Sequence, residues 1–535
     1  MVARRRTDDR PGSTSLQCLH PAPARSFLKT LVRRAFARAP SPWDNREAIR
    51  EELFGTERLE AHARSLAAAQ PVVPRPARGH PLARRLADNA AVLLDAHHTI
   101  AKSIDEERAI TPAAEWLIDN YHLVERQIRG IRSDLPPGYY RQLPKLADGP
   151  FAGYPRVLGV AWAFIAHTDS RFDASMMCRY VAAYQEVEPL TIGELWAVAI
   201  TLRIVLVENL RRIAVRIVDS STARQEADRL ANRLTGAGEG PAEPFASVVA
   251  DYDRVALPRA LAVQLVHRLH DQDPRAFPAL TWLNARLAEQ GTTVDAVVQE
   301  EHQRQGSATV TVRNIITSMR LISDVDWTEL FERVSLVDDV FQAGSAFGAM
   351  DFPTRNLYRS AVEELARGCD LTELEVAGAA IATAARAIET GGARSDPRLL
   401  DPGYVLIAGG RAKFEAAIVF RPPVKDWPRR IYRALGIGGY VGAGAIVAAG
   451  LLTVPLSIAA ANGLGAVWIL LLAILGLIPA IDVAVAIVNH VVTQGFRAAL
   501  LPGMDLRRGI PREWRTLVAV PTFLTTAQDI DEQIG

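Results

Sequence analysis

From position 434 to position 481, between Arg433 and Asp482, the chain carries no charged side chain. No other feature constrains the fold as strongly. A bilayer core of about 30 Å takes ~20 apolar residues per helix, so this run is long enough for two spans and a tight turn. Spans are expected at about 434–458 and 464–488, joined by Asn462 and Gly463. Arg411, Lys413, Arg421, Lys425, Arg429, Arg430 and Arg433 precede the run, and Arg497, Arg507, Arg508, Arg512 and Arg515 follow it. No Lys or Arg lies between the two spans. Positive side chains mark the cytoplasmic side, so both flanks are expected there and the first 433 residues are not expected to cross.

Within the first span Gly438 and Gly442 form a GxxxG pair, which is expected to serve helix packing. No GxGxxG occurs in 436–450, so the glycines are not read as a nucleotide loop. Pro479 and Asp482 stand out in the second span. A proline there can kink the helix, and a carboxylate at depth is a functional candidate. The alternative is a span that ends near Ile481 and leaves Asp482 at the interface.

The remaining chain is mainly α in pattern. At 535 residues it is long enough for about three structural units. Residues 1–42 form a basic arm, expected to be flexible or to touch anionic headgroups. Nine Lys and Arg fall in residues 1–40 against Asp8 and Asp9, and no apolar segment of signal-peptide type follows. Residues 43–81 are expected to hold a helix over 45–70 and a Pro-rich linker. Residues 82–390 read as a helical cytoplasmic domain. Thr111 and Pro112 open a helix expected over 111–134, with Leu117, Tyr121, Val124, Ile128 and Ile131 on one stripe. A loop is expected after Leu135. Thr191 and Glu194 have capping-box spacing before an apolar helix that reaches about Val218. Glu194, Arg203 and Glu208 interrupt it, so it reads as a buried core helix rather than a span. Further helices are expected near 222–235, 245–270, 276–304, 310–323, 326–340, 354–368 and 372–389, with cap spacing again at Asp326/Glu329 and Thr372/Glu375. Residues 391–433 read as a linker and basic juxtamembrane segment, and 489–535 as a cytoplasmic segment.

Few catalytic patterns occur. The net charge of +1 gives no basic excess of the kind a nucleic-acid binder carries, so nucleic acid is not an expected partner. Cys18, Cys178 and Cys369 are too scattered for a disulfide framework or a thiolate zinc site. His97 and His98 are adjacent and diverge by about 100° on a helix. Glu300, Glu301 and His302 read as a solvated face. Neither a P-loop nor a GxSxG elbow is present. Trp116, Tyr121, Tyr139 and Tyr140 suggest a sugar-stacking surface, against the plainer reading of core aromatics. Residues 516–521, TLVAVP, read as the first buried strand of an α/β nucleotide-sugar-binding domain. Only fourteen residues follow Pro521, too few for the crossovers a parallel sheet needs.

Long blocks carry a family resemblance. WDNREAIREELFGTERLEAHARSLAAAQ (43–70), ITPAAEWLIDNYHLVERQIRGIRSDLPPGYYRQLPKLADG (110–149) and GYPRVLGVAWAFIAHTDSRFD (153–173) resemble the N-terminal region of cyclic β-1,2-glucan synthases. So do NIITSMRLISDVDWTELFERVSLVDDV (314–340) and DPGYVLIAGGRAKFEAAIVFRPP (401–423). PAIDVAVAIVNHVVT (479–493) and LPGMDLRRGIPREWRTLVAVPTFLTT (501–526) resemble the junction between the first membrane hairpin and the glucosyltransferase domain. The likeness covers about 43–535.

The resemblance implies a bacterial inner-membrane enzyme several times this length. It would build a protein-attached β-1,2-glucan from UDP-glucose, with a divalent metal in its transferase, and then cyclise it. The catalytic modules and metal ligands would fall beyond Gly535, so no catalytic, cofactor-binding or metal-binding residue is assigned in this chain. Its expected part is scaffold and membrane anchor, with membrane lipid and the remaining synthase modules, in cis or in trans, as partners. Alone it is expected to be inactive, as the product of a truncated or split gene or as a fragment. Two alternatives stand beside this reading. One is a free-standing membrane-anchored module acting on a separate synthase. The other is a helical carbohydrate-active domain with acid candidates such as Glu115 and Asp119.

Overall fold

A computed structural model describes residues 42–73, 81–235, 244–253, 255–270, 277–389, 397–495, 501–507, 509–510, 512 and 515–516. Most of the described residues lie in helices, and among them pairing between extended segments is limited to isolated β-bridges such as Val72 to Leu146. The basic arm, most of the Pro-rich linker and all but Thr516 of the expected strand at 516–521 lie outside the described residues. Two compact units divide the chain: residues 1–183 with 198–325, and residues 184–197 with 326–535.

In the first unit, residues 42–55 are not helical, contrary to the expected helix over 45–70; α1 spans only Thr56–Ala69. The backbone before it is bonded elsewhere. Ile49 N–H donates to Asn209 Oδ1 at 2.7 Å, Glu51 N–H to the Ala166 carbonyl and Phe54 N–H to the His167 carbonyl. Those three N–H groups are satisfied without a helix. The expected single helix over 111–134 is two. After α2 (Leu82–Asp105) come α3 (Pro112–Asp119) and α4 (Tyr121–Asp134). Thr111 caps α3 by accepting from Ala114 N–H, with Pro112 in its first turn. Asn120 ends it, its side-chain amide donating to the Trp116 carbonyl at 3.0 Å. The five-residue stripe is still buried throughout. The expected loop after Leu135 holds a short helix, α5 (Pro137–Gln142), before α6 (Arg156–His167).

Helix α7 spans Ala174–Gln185, and α8 spans Ile192–Thr235 without the break expected after Val218. Thr191 and Glu194 cap α8 reciprocally, at 3.0 and 3.2 Å. The reading of a core helix holds: Glu194, Glu208 and Arg212 are buried along with its apolar side chains. The region expected as one helix over 245–270 is α9 (Phe245–Val249) and α10 (Arg259–His270), interrupted around Pro258. Past α11 (Phe277–Glu289), Gly291 takes φ +73°. The helix expected over 276–304 is thus broken, and Thr293 caps α12 (Val294–Asp324), which joins its second half to the helix expected at 310–323. Helix α12 packs on α3, α4 and α10.

In the second unit Asp326 caps α13 (Trp327–Val334), Ser335 caps α14 (Leu336–Gly344) and Asp351 caps α15 (Phe352–Gly368). The Thr372/Glu375 box opens α16 (Glu373–Glu389) with both reciprocal bonds made, at 2.8 and 3.2 Å. Two short helices follow, α17 (Gly403–Ile407) and α18 (Arg411–Ala417).

The Glu373 carboxylate accepts from Ile192 N–H at 2.7 Å. Burial pushes its pKa up to about 7, with Glu363 and Glu194 adding to the rise and the Ile192 N–H opposing it. A carboxyl whose pKa is raised on folding supports the fold fully below about pH 4.5 and loses that support as pH climbs through 7. The ionised form therefore carries a penalty on the order of 3 kcal/mol at pH 8. Glu373→Gln, still able to accept from Ile192, is expected to melt like wild type at pH 5 and higher than wild type at pH 8. Equal melting temperatures at pH 8 would contradict this.

Candidate functional site

The last two long helices are α19 (Trp427–Ala461) and α20 (Ala466–Gly495), packed antiparallel. Over Ala434–Ala461 and Ala466–Gly495 each is long and apolar enough to cross a membrane. Almost all of their large apolar side chains face outward, unlike the core helices of the two units. Helix α19 is kinked at Gly436, where φ is +54°. The turn lies at Asn462 and Gly463 as expected, Gly463 taking φ +81°. The second helix runs to Gly495, seven residues past the expected end at 488.

Small side chains make the contact between them. Ala448 packs with Ala480 and Ala484. A Cβ on Gly476 would come within 2.9 Å of Leu452 Cδ2. The expected GxxxG pair does not share in this: a Cβ on Gly438 or Gly442 would meet nothing within 4 Å. Nearer the open end, Tyr440 Oη donates to Asn489 Oδ1 at 2.8 Å.

Asp482 sits well inside the helix, 16 residues from Ala466 and 13 from Gly495, or about 24 and 20 Å at 1.5 Å per residue. The helix does not stop at Ile481. Asp482 is two residues from both Ala480 and Ala484, about 200° around the axis from each, so it faces away from α19. It is exposed and makes no hydrogen bond or ion pair among the described residues. An ionised carboxylate near a bilayer centre costs about 2.5–3.5 kcal/mol. Pro479 lacks the N–H that would bond the Leu475 carbonyl. It lines an apolar groove of about 380 Å³ with Leu452, Gly476 and Pro455. Pro455, inside α19, is a counterpart that sequence reading passed over.

The aromatic candidates lie in the first unit. Trp116 is half-buried on α3 and makes no ring contact with Tyr139 or Tyr140, which are half-buried on α5. The buried Lys145 ammonium lies 4.6 Å from the Tyr140 ring and donates to the Tyr140 and Leu143 carbonyls. Burial, with Tyr154 nearby, holds the Tyr140 phenol well above its ordinary pKa. Tyr121 is a core aromatic, 4.3 Å from His97. Glu115 and Asp119 lie one turn apart on the eight-residue α3, side by side rather than across a cleft.

One expectation in this unit is corrected. Glu300 and His302 are exposed, but Glu301 is only 4% exposed. It accepts from Gln305 and lines two adjoining cavities of about 620 and 770 Å³ that share Asp219, Arg259 and Arg304. An acidic pair in a polar helix gives no periodic signal of which member turns inward. No three His, Cys, Asp or Glu side chains converge on a metal position among the described residues.

No family model matches the chain. Over 496 residues, 92% of its length, it is 32% identical to the cyclic beta-(1,2)-glucan synthase NdvB of Rhizobium meliloti (strain 1021). It spans 17% of that protein's length.

Proposed function

We propose that this chain, a relative of the cyclic β-(1,2)-glucan synthases, is the helical scaffold and membrane anchor of such an enzyme. The observation that carries the reading is a likeness that runs through nearly the whole chain, including the two exposed apolar helices. The hairpin spans the bacterial inner membrane with both flanks in the cytoplasm, because arginines flank it and none lies in its turn. UDP-glucose, the divalent metal and the glucosyl transfer belong to parts of the synthase outside these residues, and the chain alone is inactive.

Topology reporters after Gly410 and after Gly503, in membranes holding the chain, test the anchor. Both are expected to read cytoplasm, and a periplasmic signal at either would break the hairpin. The same membranes, supplied with UDP-glucose and a divalent cation, are expected to make no β-1,2-glucan; product formation would refute the scaffold role.

A further inference from the structure

The outward face of α20 has a repeat that the hairpin does not use. Leu471, Leu475, Ile478, Asp482 and Val485 follow one another at spacings of 4, 3, 4 and 3. That is the 3.5-residue period of a helix that packs against another at a shallow left-handed crossing. The stripe lies on the side away from Ala480 and Ala484. Leu475 and Ile478 are 78% and 77% exposed. Asp482 lies in the middle of the stripe, with no partner among the described residues.

We propose that this stripe docks a further membrane-spanning helix, from the synthase outside this chain, which presents a hydrogen-bond donor level with Asp482. The proposal rests on the reading of α19 and α20 as a membrane hairpin. Charge complementarity selects the occupant. An ionised carboxylate only accepts hydrogen bonds, so its partner must donate. Lipid tails offer no donor. A second copy would lie parallel in the same membrane and set Asp482 against Asp482, two acceptors. The relative is far longer than this chain, which covers 17% of it, so other segments are at hand to supply the helix.

The test uses the intact protein in membranes of its own cells. A photo-crosslinking amino acid replaces Ile478 on the stripe or, in a second strain, Ile481, about 60° around the axis from Ile478 and about 100° from Asp482. Cross-linked peptides are mapped by mass spectrometry, and the Gly410 and Gly503 reporters are read in the same strains. Position 478 is expected to cross-link to a membrane segment bearing a donor side chain, roughly fivefold to tenfold more than position 481. Asp482→Leu, which leaves the helix apolar enough to insert, is expected to lower that yield by a similar factor, whereas Asp482→Glu keeps it. The proposal is overturned by cross-links only to lipid or to a second copy. Equal yields at 478 and 481, or a yield unchanged in Asp482→Leu, overturn it too. If the reporters read opposite sides, the hairpin itself has failed and the docking face with it. If they both read cytoplasm and the cross-link is absent, only the docking face falls.

Discussion

Glu208→Ala is expected to destabilise the first unit by about 3–5 kcal/mol, the range seen when a buried ion pair loses one partner. Glu208 is fully buried in α8, and four donors converge on its carboxylate. Arg85 donates from Nη2 at 2.8 Å and from Nε at 2.9 Å. Asn89 adds a bond of 2.8 Å and Arg212 one of 2.9 Å. Arg212 is itself 2% exposed, with its remaining donors on the Glu47 and Pro42 carbonyls and its guanidinium 5.1 Å from the Trp162 ring. Removing the carboxylate leaves this cation buried without a counter-charge. Because the chain has two units, a site-resolved readout is needed. Amide exchange over residues 200–212 in the full chain is expected to quicken on the order of 10²–10³-fold. The double variant Glu208→Leu, Arg212→Met removes both charges and should lose much less. An exchange rate in Glu208→Ala within a factor of about 5 of wild type would show that the network adds little.

The same helix shows what periodicity can and cannot reveal. Its start was legible because Thr191 and Glu194 stand at the spacing that closes two backbone bonds at once, and its burial because charged residues broke every stretch long enough to span. Its length was not, because residues 219–222, Asp-Ser-Ser-Thr, look like a stop and are carried as helix all the same. Breaks elsewhere were missed for the converse reason. Asn120 turns its amide on a carbonyl one turn back, and Ile49, Glu51 and Phe54 spend their N–H groups on Asn209 and on α6. Both are tertiary or side-chain competitors for backbone bonds, which a pattern of apolar residues does not encode.

The candidate site was legible in the same uneven way. A run of 48 uncharged residues names a hairpin, and one aspartate within it is conspicuous. Which way that aspartate faces depends on where α19 packs, and the pairing of Ala448 with Ala480 and Ala484 decides it. The GxxxG pair was the obvious motif for that contact, yet the close approach is made at Gly476 against Leu452. Small residues permit close approach wherever they fall, so the spacing alone does not choose among many glycines. The long family-like blocks were the firmer guide, since they rest on hundreds of positions rather than on two.

Arg359→Met should unfold the second unit as readily as the Glu208 change unfolds the first, by about 3–5 kcal/mol. Methionine keeps most of the side chain's bulk, so the loss isolates the charge. Arg359 is buried in α15, where Nε donates to Asp338 Oδ1 at 2.9 Å and Nη2 to Glu332 Oε1 at 2.8 Å. Burial alone would favour the neutral guanidine, but Asp338 and Glu332 outweigh it and hold the pKa above its ordinary value. Phe331, Phe352 and Phe347 ring the guanidinium at 5.0, 5.3 and 5.7 Å. Asp338, wholly buried, also caps its own helix through Ser335, whose hydroxyl donates to it at 3.0 Å and accepts from its N–H. Without Arg359 that carboxylate keeps one hydroxyl and no cation. Amide exchange over 354–365 is expected to rise on the order of 10²–10³-fold in Arg359→Met. Adding Asp338→Leu should recover most of the loss. Arg359→Lys should fall between, because an ammonium cannot serve both carboxylates with the fixed fork of a guanidinium. If Arg359→Met alone matched wild type, the aromatic ring around this position, rather than its ion pairs, would be what holds α13, α14 and α15 together.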